Sequence, residues 1–221
     1  MIAKELINQM IPPLKPKEKA SKALNWMEEL RTPEIPVIEG GKFLGLVNEE
    51  IILEHNDFDA RIDELPLLGI NCYVNEDTHF YNILKVASEN QSKMVAVVNN
   101  LNEYQGVITI EDTLTAFAQT AAVQSPGAII VISLAQNDYS LATISRLIEE
   151  NEAKILSSCI TNDHADPSMI KLTLKINKSN LTHVIATLER FGYRIIARFQ
   201  ETGNNTNEKE RWDLLMKYLS I

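Results

Sequence analysis

The chain has 221 residues, 45% of them hydrophobic and 23% charged, which is enough apolar chain for one or two globular domains. A formal net charge of −9 argues against a nucleic-acid partner, because phosphate binding needs concentrated Lys and Arg. No apolar run approaches the roughly 20 residues of a membrane span, so no membrane partner is expected, and the opening MIAKELINQMIPP lacks a signal peptide's apolar centre and small-residue cleavage site. Cys72 and Cys159 are far apart and suggest no disulfide framework, so the sequence reads as a reduced, cytoplasmic protein.

From Leu14 to Val98 the chain falls into two halves, LKPKEKASKALNWMEELRTPEIPVIE from Leu14 and VNEDTHFYNILKVASENQSKMVAVVN from Val74, a spacing of 74 − 14 = 60. Each begins with a short extended segment and runs into a helical pattern. Ala20, Ala23, Leu24 and Met27 share one face in the first half; Phe80, Ile83, Leu84 and Ala87 match them in the second. An aliphatic strand follows in each, Ile35–Glu39 and Met94–Val98, then a turn, a second strand and a closing helix. The second strands carry Gly45 and Gly106, 106 − 45 = 61 apart, so the second turn is one residue longer.

QSPGA, from Gln124 to Ala128, breaks the pattern with Pro and Gly. Beyond it the periodicity predicts a strand over Ala128–Ala135 and an amphipathic helix over Ser140–Asn151, with Leu141, Ile144, Leu147 and Ile148 on one face. KILSSCIT and MIKLTLKI read as strands separated by the turn DHADPS. SNLTHVIATLERFG reads as a helix capped by Ser179 or Asn180 and stopped by Gly192, and YRIIARF as a last strand. This βαββαβ order is the ferredoxin-like split arrangement. A polar loop then leads to a final helix with Trp212, Leu215, Met216 and Leu219 on one face.

Little in the chain points to catalysis. It has no P-loop, no G-x-G-x-x-G and no nucleophile elbow. None of His55, His79, His164 and His183 has a helical i, i+4 metal partner. Cys159, Asp163, His164 and Asp166 lie close together in CITNDHADP, but that segment is first a polar turn between strands. No catalytic or metal-ligating residue is assigned.

The repeated phrase is more informative. GLVNEEIIL, Gly45–Leu53, and GVITIEDTL, Gly106–Leu114, share a glycine, two aliphatics and a polar residue. Only the second carries Thr109 with Asp112; the first has Asn48 and Ile51 at those places. A hydroxyl and backbone N–H groups at a helix N-terminus suit an anionic phosphate. A carboxylate one turn in can accept from both ribose hydroxyls, although an acid there also simply favours the helix dipole. Glu111, beside Asp112, makes a bare triphosphate unfavourable unless it points to solvent; with the resemblance drawn below, this favours a monophosphate or S-adenosylmethionine.

The two halves resemble a pair of CBS domains forming a Bateman module, over about Met1–Ala122, with GVITIED fitting the family phrase G-h-h-[S/T]-x-x-D. The resemblance implies sites shared between repeats. Thr109 and Asp112 would face Ile11 and Pro12, ahead of the first helix, and Thr32 and Pro33 at the entry to PEIPVI. Purine recognition there would rest on apolar packing and backbone hydrogen bonds. Isoleucine cannot hold ribose hydroxyls, so one competent and one vestigial site are expected. Ala128–Phe199 resembles an ACT domain, although NDYSLA keeps Asp138 and puts Ser140 near the glycine of that family's amino-acid loop, which tells against amino-acid binding. The whole order is similar to acetoin utilisation proteins of AcuB type.

The expected fold class is therefore α+β: CBS repeats over 1–60 and 61–123, a ferredoxin-like, ACT-like domain over 127–200, and a loop and helix over 201–221. The expected function is non-catalytic regulation of an unidentified protein by a homodimer. It would sense an adenosyl ligand (AMP, ADP, ATP or S-adenosylmethionine) and require no cofactor. The alternative is a ligand-free assembly or scaffold module acting through dimerisation.

Overall fold

The computed structural model describes residues 1–199, so the expected terminal helix with Trp212, Leu215, Met216 and Leu219 lies outside the described residues. The chain divides into two compact units between Ala118 and Gln119.

The first unit runs α1 (Ala20–Leu30), β1 (Glu34–Glu39), β2 (Lys42–Asn48), α2 (Glu49–His55), β3 (Tyr73–Asn75), α3 (Phe80–Asn90), β4 (Met94–Val98), β5 (Tyr104–Thr109) and α4 (Ile110–Ala118). β1 and β2 pair antiparallel; β4 lies parallel to β3 and antiparallel to β5. The two halves share a register. Val74 pairs with Val97 in parallel, and Leu14 makes the matching parallel bridge to Val37. Only the second half extends this contact into a strand. In the first, Pro12, Pro13 and Pro16 flank Leu14 and remove the N–H groups a ladder needs.

Both hairpins carry a bulge at the same place. Opposite Val37 and Ile38 the partner skips from Gly45 to Phe43, and opposite Val97 and Val98 it skips from Gly106 to Tyr104. Gly45 has φ 152 and Gly106 φ 151, and each lies against the segment leading into the opposite repeat. A Cβ at Gly45 would come 2.8 Å from the Leu68 carbonyl oxygen, and one at Gly106 would collide with Ile7 Cγ2. The repeated glycine therefore serves a bulge and a close approach. The leading segments cross over: Leu68 bridges Leu46 of β2, and Asn8 bridges Val107 of β5. Each second strand is thus bordered by chain that introduces the other repeat.

Ala20, Ala23 and Met27 of α1 and Phe80, Ile83 and Ala87 of α3 are buried in one core with Ile35, Val47, Met94 and Ile108. Leu84 departs from the expected helix face and is exposed. Tyr81 of the same helix and Leu114 and Phe117 of α4, which packs against α3, are exposed as well.

The second unit begins with α5 (Ala121–Gln124). It continues through β6 (Ala128–Ala135), α6 (Leu141–Glu149), β7 (Ile155–Asn162), β8 (Met169–Ile176), α7 (Thr182–Arg190) and β9 (Arg194–Phe199). After α5 the order is βαββαβ, and the antiparallel sheet runs β7-β8-β6-β9. Alternate residues of β6 and β8 are buried against Ile144, Leu147 and Ile148 of α6 and Val184 and Leu188 of α7. Leu141, expected on the same face as those of α6, is exposed. Asn180 accepts from the Thr182 N–H and hydroxyl at the start of α7, and Gly192, at φ 85, follows its end.

Candidate functional site

The end of α1 sets one wall. Arg31 adopts the left-handed conformation at φ 53, and the Thr32 N–H donates back to the Met27 carbonyl at 3.0 Å. This is a Schellman-type ending that turns Thr32 and Pro33 toward β1. α3 ends the same way, with Gln91 at φ 52 and Ser92 N–H donating to the Ala87 carbonyl at 3.0 Å. The Lys93 carbonyl then accepts from Ile110 N–H at 2.9 Å, tying the start of β4 to the first turn of α4; Pro33 and Glu49 make the matching bond at 3.2 Å.

At α4, Thr109 and Asp112 form a reciprocal capping box. The Asp112 N–H donates to Thr109 Oγ1 at 3.0 Å, while the Thr109 N–H and hydroxyl donate to Asp112 Oδ2 at 3.1 and 2.6 Å. The Asn8 side-chain amide adds bonds of 3.3 Å to Oδ1 and 3.1 Å to Oδ2. Asn8 is itself fixed. Its N–H donates to the Val107 carbonyl at 2.8 Å, and its Oδ1 accepts from the Met10 N–H at 2.9 Å.

These groups border one cavity of about 650 Å³. Of the six expected residues, Ile11, Thr32, Pro33, Thr109 and Asp112 line it and Pro12 does not. The leading segment borders the cavity through Asn8, Met10 and Ile11 and leaves it before Pro12. Arg31 and Lys93 line the cavity as well, with the carboxylates Glu29, Glu111 and Asp112. Among the described residues neither Arg31 nor Lys93 forms an ion pair. Both also border a neighbouring cavity of about 630 Å³ beside α1 and α2. Glu111 is exposed even though it borders the cavity.

Asn8, Arg31 and Lys93 were not among the residues read from the sequence. The repeat register held the signal: Asn8 matches Leu68, Arg31 matches Gln91 and Lys93 matches Pro33, each a polar or charged group in one copy alone or a change of charge between copies.

The mirrored position is built differently. Asn48 caps α2 by accepting from the Ile51 N–H at 2.9 Å, and Ile51 packs against the core. Ser92 and Lys93, matched to Thr32 and Pro33, are already engaged: Glu34 accepts from Ser92 Oγ at 2.6 Å and from Lys93 N–H at 3.2 Å. Cys72, matched to Pro12, is fully buried and donates to the Met94 carbonyl at 3.3 Å. Burial pushes its thiol up to about 11.

In the second unit Ser140 has φ −137 and caps α6 by accepting from the Thr143 N–H at 3.3 Å, so no glycine-like conformation is used there. In the turn after β7, Asp163 accepts from Ala165 N–H and pairs with Lys171 at 3.3 Å, and Asp166 accepts from the Ser168 N–H and hydroxyl. These hydrogen bonds hold both carboxyls below the usual carboxylate range. Among the described residues no helix is long and apolar enough to cross a membrane.

No family model matches the sequence. Solved structures to which the chain is similar are CBS domain proteins. One is a CBS domain pair/ACT domain protein from Thermotoga maritima, 25% identical with a TM-score of 0.49, covering 54% of this chain and 98% of its own. Another is CBSX2 in complex with AMP, 16% identical with a TM-score of 0.46, covering 53% of this chain and 96% of its own. A third is the cytosolic domain of the Mg2+ channel MgtE in complex with ATP, 16% identical with a TM-score of 0.44, covering 52% of this chain and 48% of its own.

Proposed function

We propose that the protein is a non-catalytic regulator whose first unit is a CBS pair that senses an adenosyl ligand, and whose second unit is an ACT-like domain. One observation carries this reading: the Thr109–Asp112 capping box of the second repeat shares a cavity with Ile11, Thr32 and Pro33 of the first. A volume of about 650 Å³ falls in the range of small-molecule sites. Ile11 and Pro33 offer apolar packing to a purine, and Asp112 offers acceptors to a sugar. The charges on the wall refine the ligand. Arg31 and Lys93, which form no ion pair among the described residues, stand against three carboxylates, Glu29, Glu111 and Asp112. A monophosphate or the sulfonium of S-adenosylmethionine suits that balance better than a triphosphate. The order of the units, similar to acetoin utilisation proteins of AcuB type, adds no reaction.

A thermal-shift screen with AMP, ADP, ATP and S-adenosylmethionine tests the proposal. A saturable rise in melting temperature with AMP or S-adenosylmethionine is expected. No response to any of the four removes the adenosyl reading.

A second reading has its own support. Asp112 already accepts four hydrogen bonds from within the chain, and Tyr81, Leu84, Leu114 and Phe117 expose apolar surface on α3 and α4. A ligand-free assembly module would use that surface to dimerise. In both readings the protein is a homodimer acting on a separate target, and a monomeric mass by light scattering, with and without AMP, would contradict that part.

A further inference from the structure

The four bonds to Asp112 are unevenly shared between its oxygens. Oδ2 accepts from the Thr109 N–H, the Thr109 hydroxyl and the Asn8 amide. A carboxylate oxygen offers about two lone-pair sites, so Oδ2 is full. Oδ1 meets one donor, the longer 3.3 Å contact from Asn8. The unused acceptor capacity of the carboxylate is therefore on Oδ1. Asn8 is no chance neighbour, since its own amide oxygen and backbone N–H are both committed, to Met10 and Val107. The pairing also follows the repeat. Where Asp112 is replaced by Ile51, the residue matched to Asn8 is Leu68, which keeps the backbone bridge to the strand and has no amide to offer. Polar partners occur together in one copy and apolar residues together in the other.

We propose that Thr109 and Asn8 are positioning residues that fill Asp112 Oδ2 and leave Oδ1 as the single open acceptor, so that the site recognises one hydroxyl of the ligand's sugar and is indifferent to its neighbour. This rests on the adenosyl reading and sharpens it. A free carboxylate would take a vicinal diol with one hydroxyl on each oxygen; this one has an oxygen already taken by the chain. Asn8 touches Asp112 and acts on the ligand through it.

The test is a ligand-observed NMR titration of the full chain with adenosine, 2′-deoxyadenosine and 3′-deoxyadenosine, the adenine and the ribose 2′,3′-diol being common to all four candidate ligands. One deoxy compound is expected to bind at least about tenfold more weakly than adenosine, the loss of a hydrogen bond to a charged group, and the other with almost unchanged affinity. In Asn8→Ala Thr109 still fills Oδ2 and the ratio is expected to persist; in the double variant Thr109→Val with Asn8→Ala one site on Oδ2 is released, and the two deoxy compounds are expected to differ less than twofold, about the resolution of such a comparison. A loss of folding would leave overall affinity low for all three compounds, whereas loss of positioning changes their ratio. Thr109→Val with Asn8→Leu, the latter carrying the residue of the matched position, gives the same readout should the double variant with alanine fail to fold. Equal weakening by both deoxy compounds in wild type, or a ratio unchanged in the double variants, overturns the inference. If wild type responds to AMP in the thermal-shift screen, such a result leaves the adenosyl reading standing. Wild type that binds no adenosine overturns the inference, and silence in the thermal-shift screen as well removes both.

Discussion

α2 begins after Asn48 and α4 after Thr109, and the two helix starts are built on the same plan. Each follows a bulged strand with a positive-φ glycine, each polar side chain accepts from an N–H three residues on, and each first turn bonds back to the entry of the neighbouring strand. They differ in what stands three residues in. Asp112 accepts two hydrogen bonds from Thr109 and borders an open cavity, while Ile51 packs against the core and Glu34 occupies the facing backbone. The cap and the bulge are needed to fold either copy and so persist in both. The carboxylate is needed for neither, since Asn48 caps without one. What stands in a single copy is the carboxylate on which the proposed ligand site rests.

Substitutions at matched positions can break or sharpen this comparison. The largest effect falls on the shared scaffold. Ile108 and Val47 are matched and fully buried, and Ile108→Ala is expected to cost about 2–5 kcal/mol in urea denaturation, with a smaller loss for Val47→Ala. A loss at one position alone would show that the copies are not equivalent frames. Next come the glycines. Gly45→Ala and Gly106→Ala each force a residue with Cβ into a positive φ and are expected to cost more than about 1 kcal/mol. Gly45 should cost more, because it meets a backbone carbonyl and Gly106 the end of a side chain. Asn48→Ala removes a cap and is expected to cost about 1 kcal/mol in stability while leaving ligand affinity unchanged. Arg31→Gly has the opposite sign. Glycine suits φ 53, so stability is expected to rise by up to about 1 kcal/mol while phosphate-bearing ligands weaken more than adenosine. Equal loss for adenosine and AMP would remove Arg31 from the site.

The repeat, its strands and its caps were legible because each follows a local rule: apolar periodicity, a bulge glycine, a polar residue before a helix. The candidate cavity was legible at Thr109 and Asp112 from the repeated phrase, and at Ile11, Thr32 and Pro33 from the resemblance to CBS pairs. Asn8, Arg31 and Lys93 belong to segments whose local sequence says nothing about a cavity. They reach it because the leading segments cross to the opposite repeat and because two helices end in left-handed residues that are not glycine. Leu84 misled for a related reason, since helical periodicity marks an apolar stripe without saying whether the chain itself covers it.

The account stands or falls on whether Asp112 distinguishes the two copies, and isothermal titration of wild type, Asp112→Ala and Asn48→Ala with one adenosyl ligand, AMP or S-adenosylmethionine, reads this directly. Asp112→Ala is expected to weaken binding roughly ten- to a hundredfold, the equivalent of about 1.5–3 kcal/mol for a hydrogen bond to a charged group, with Asn48→Ala close to wild type. Equal affinity in wild type and Asp112→Ala, or a larger loss from Asn48→Ala, would contradict it.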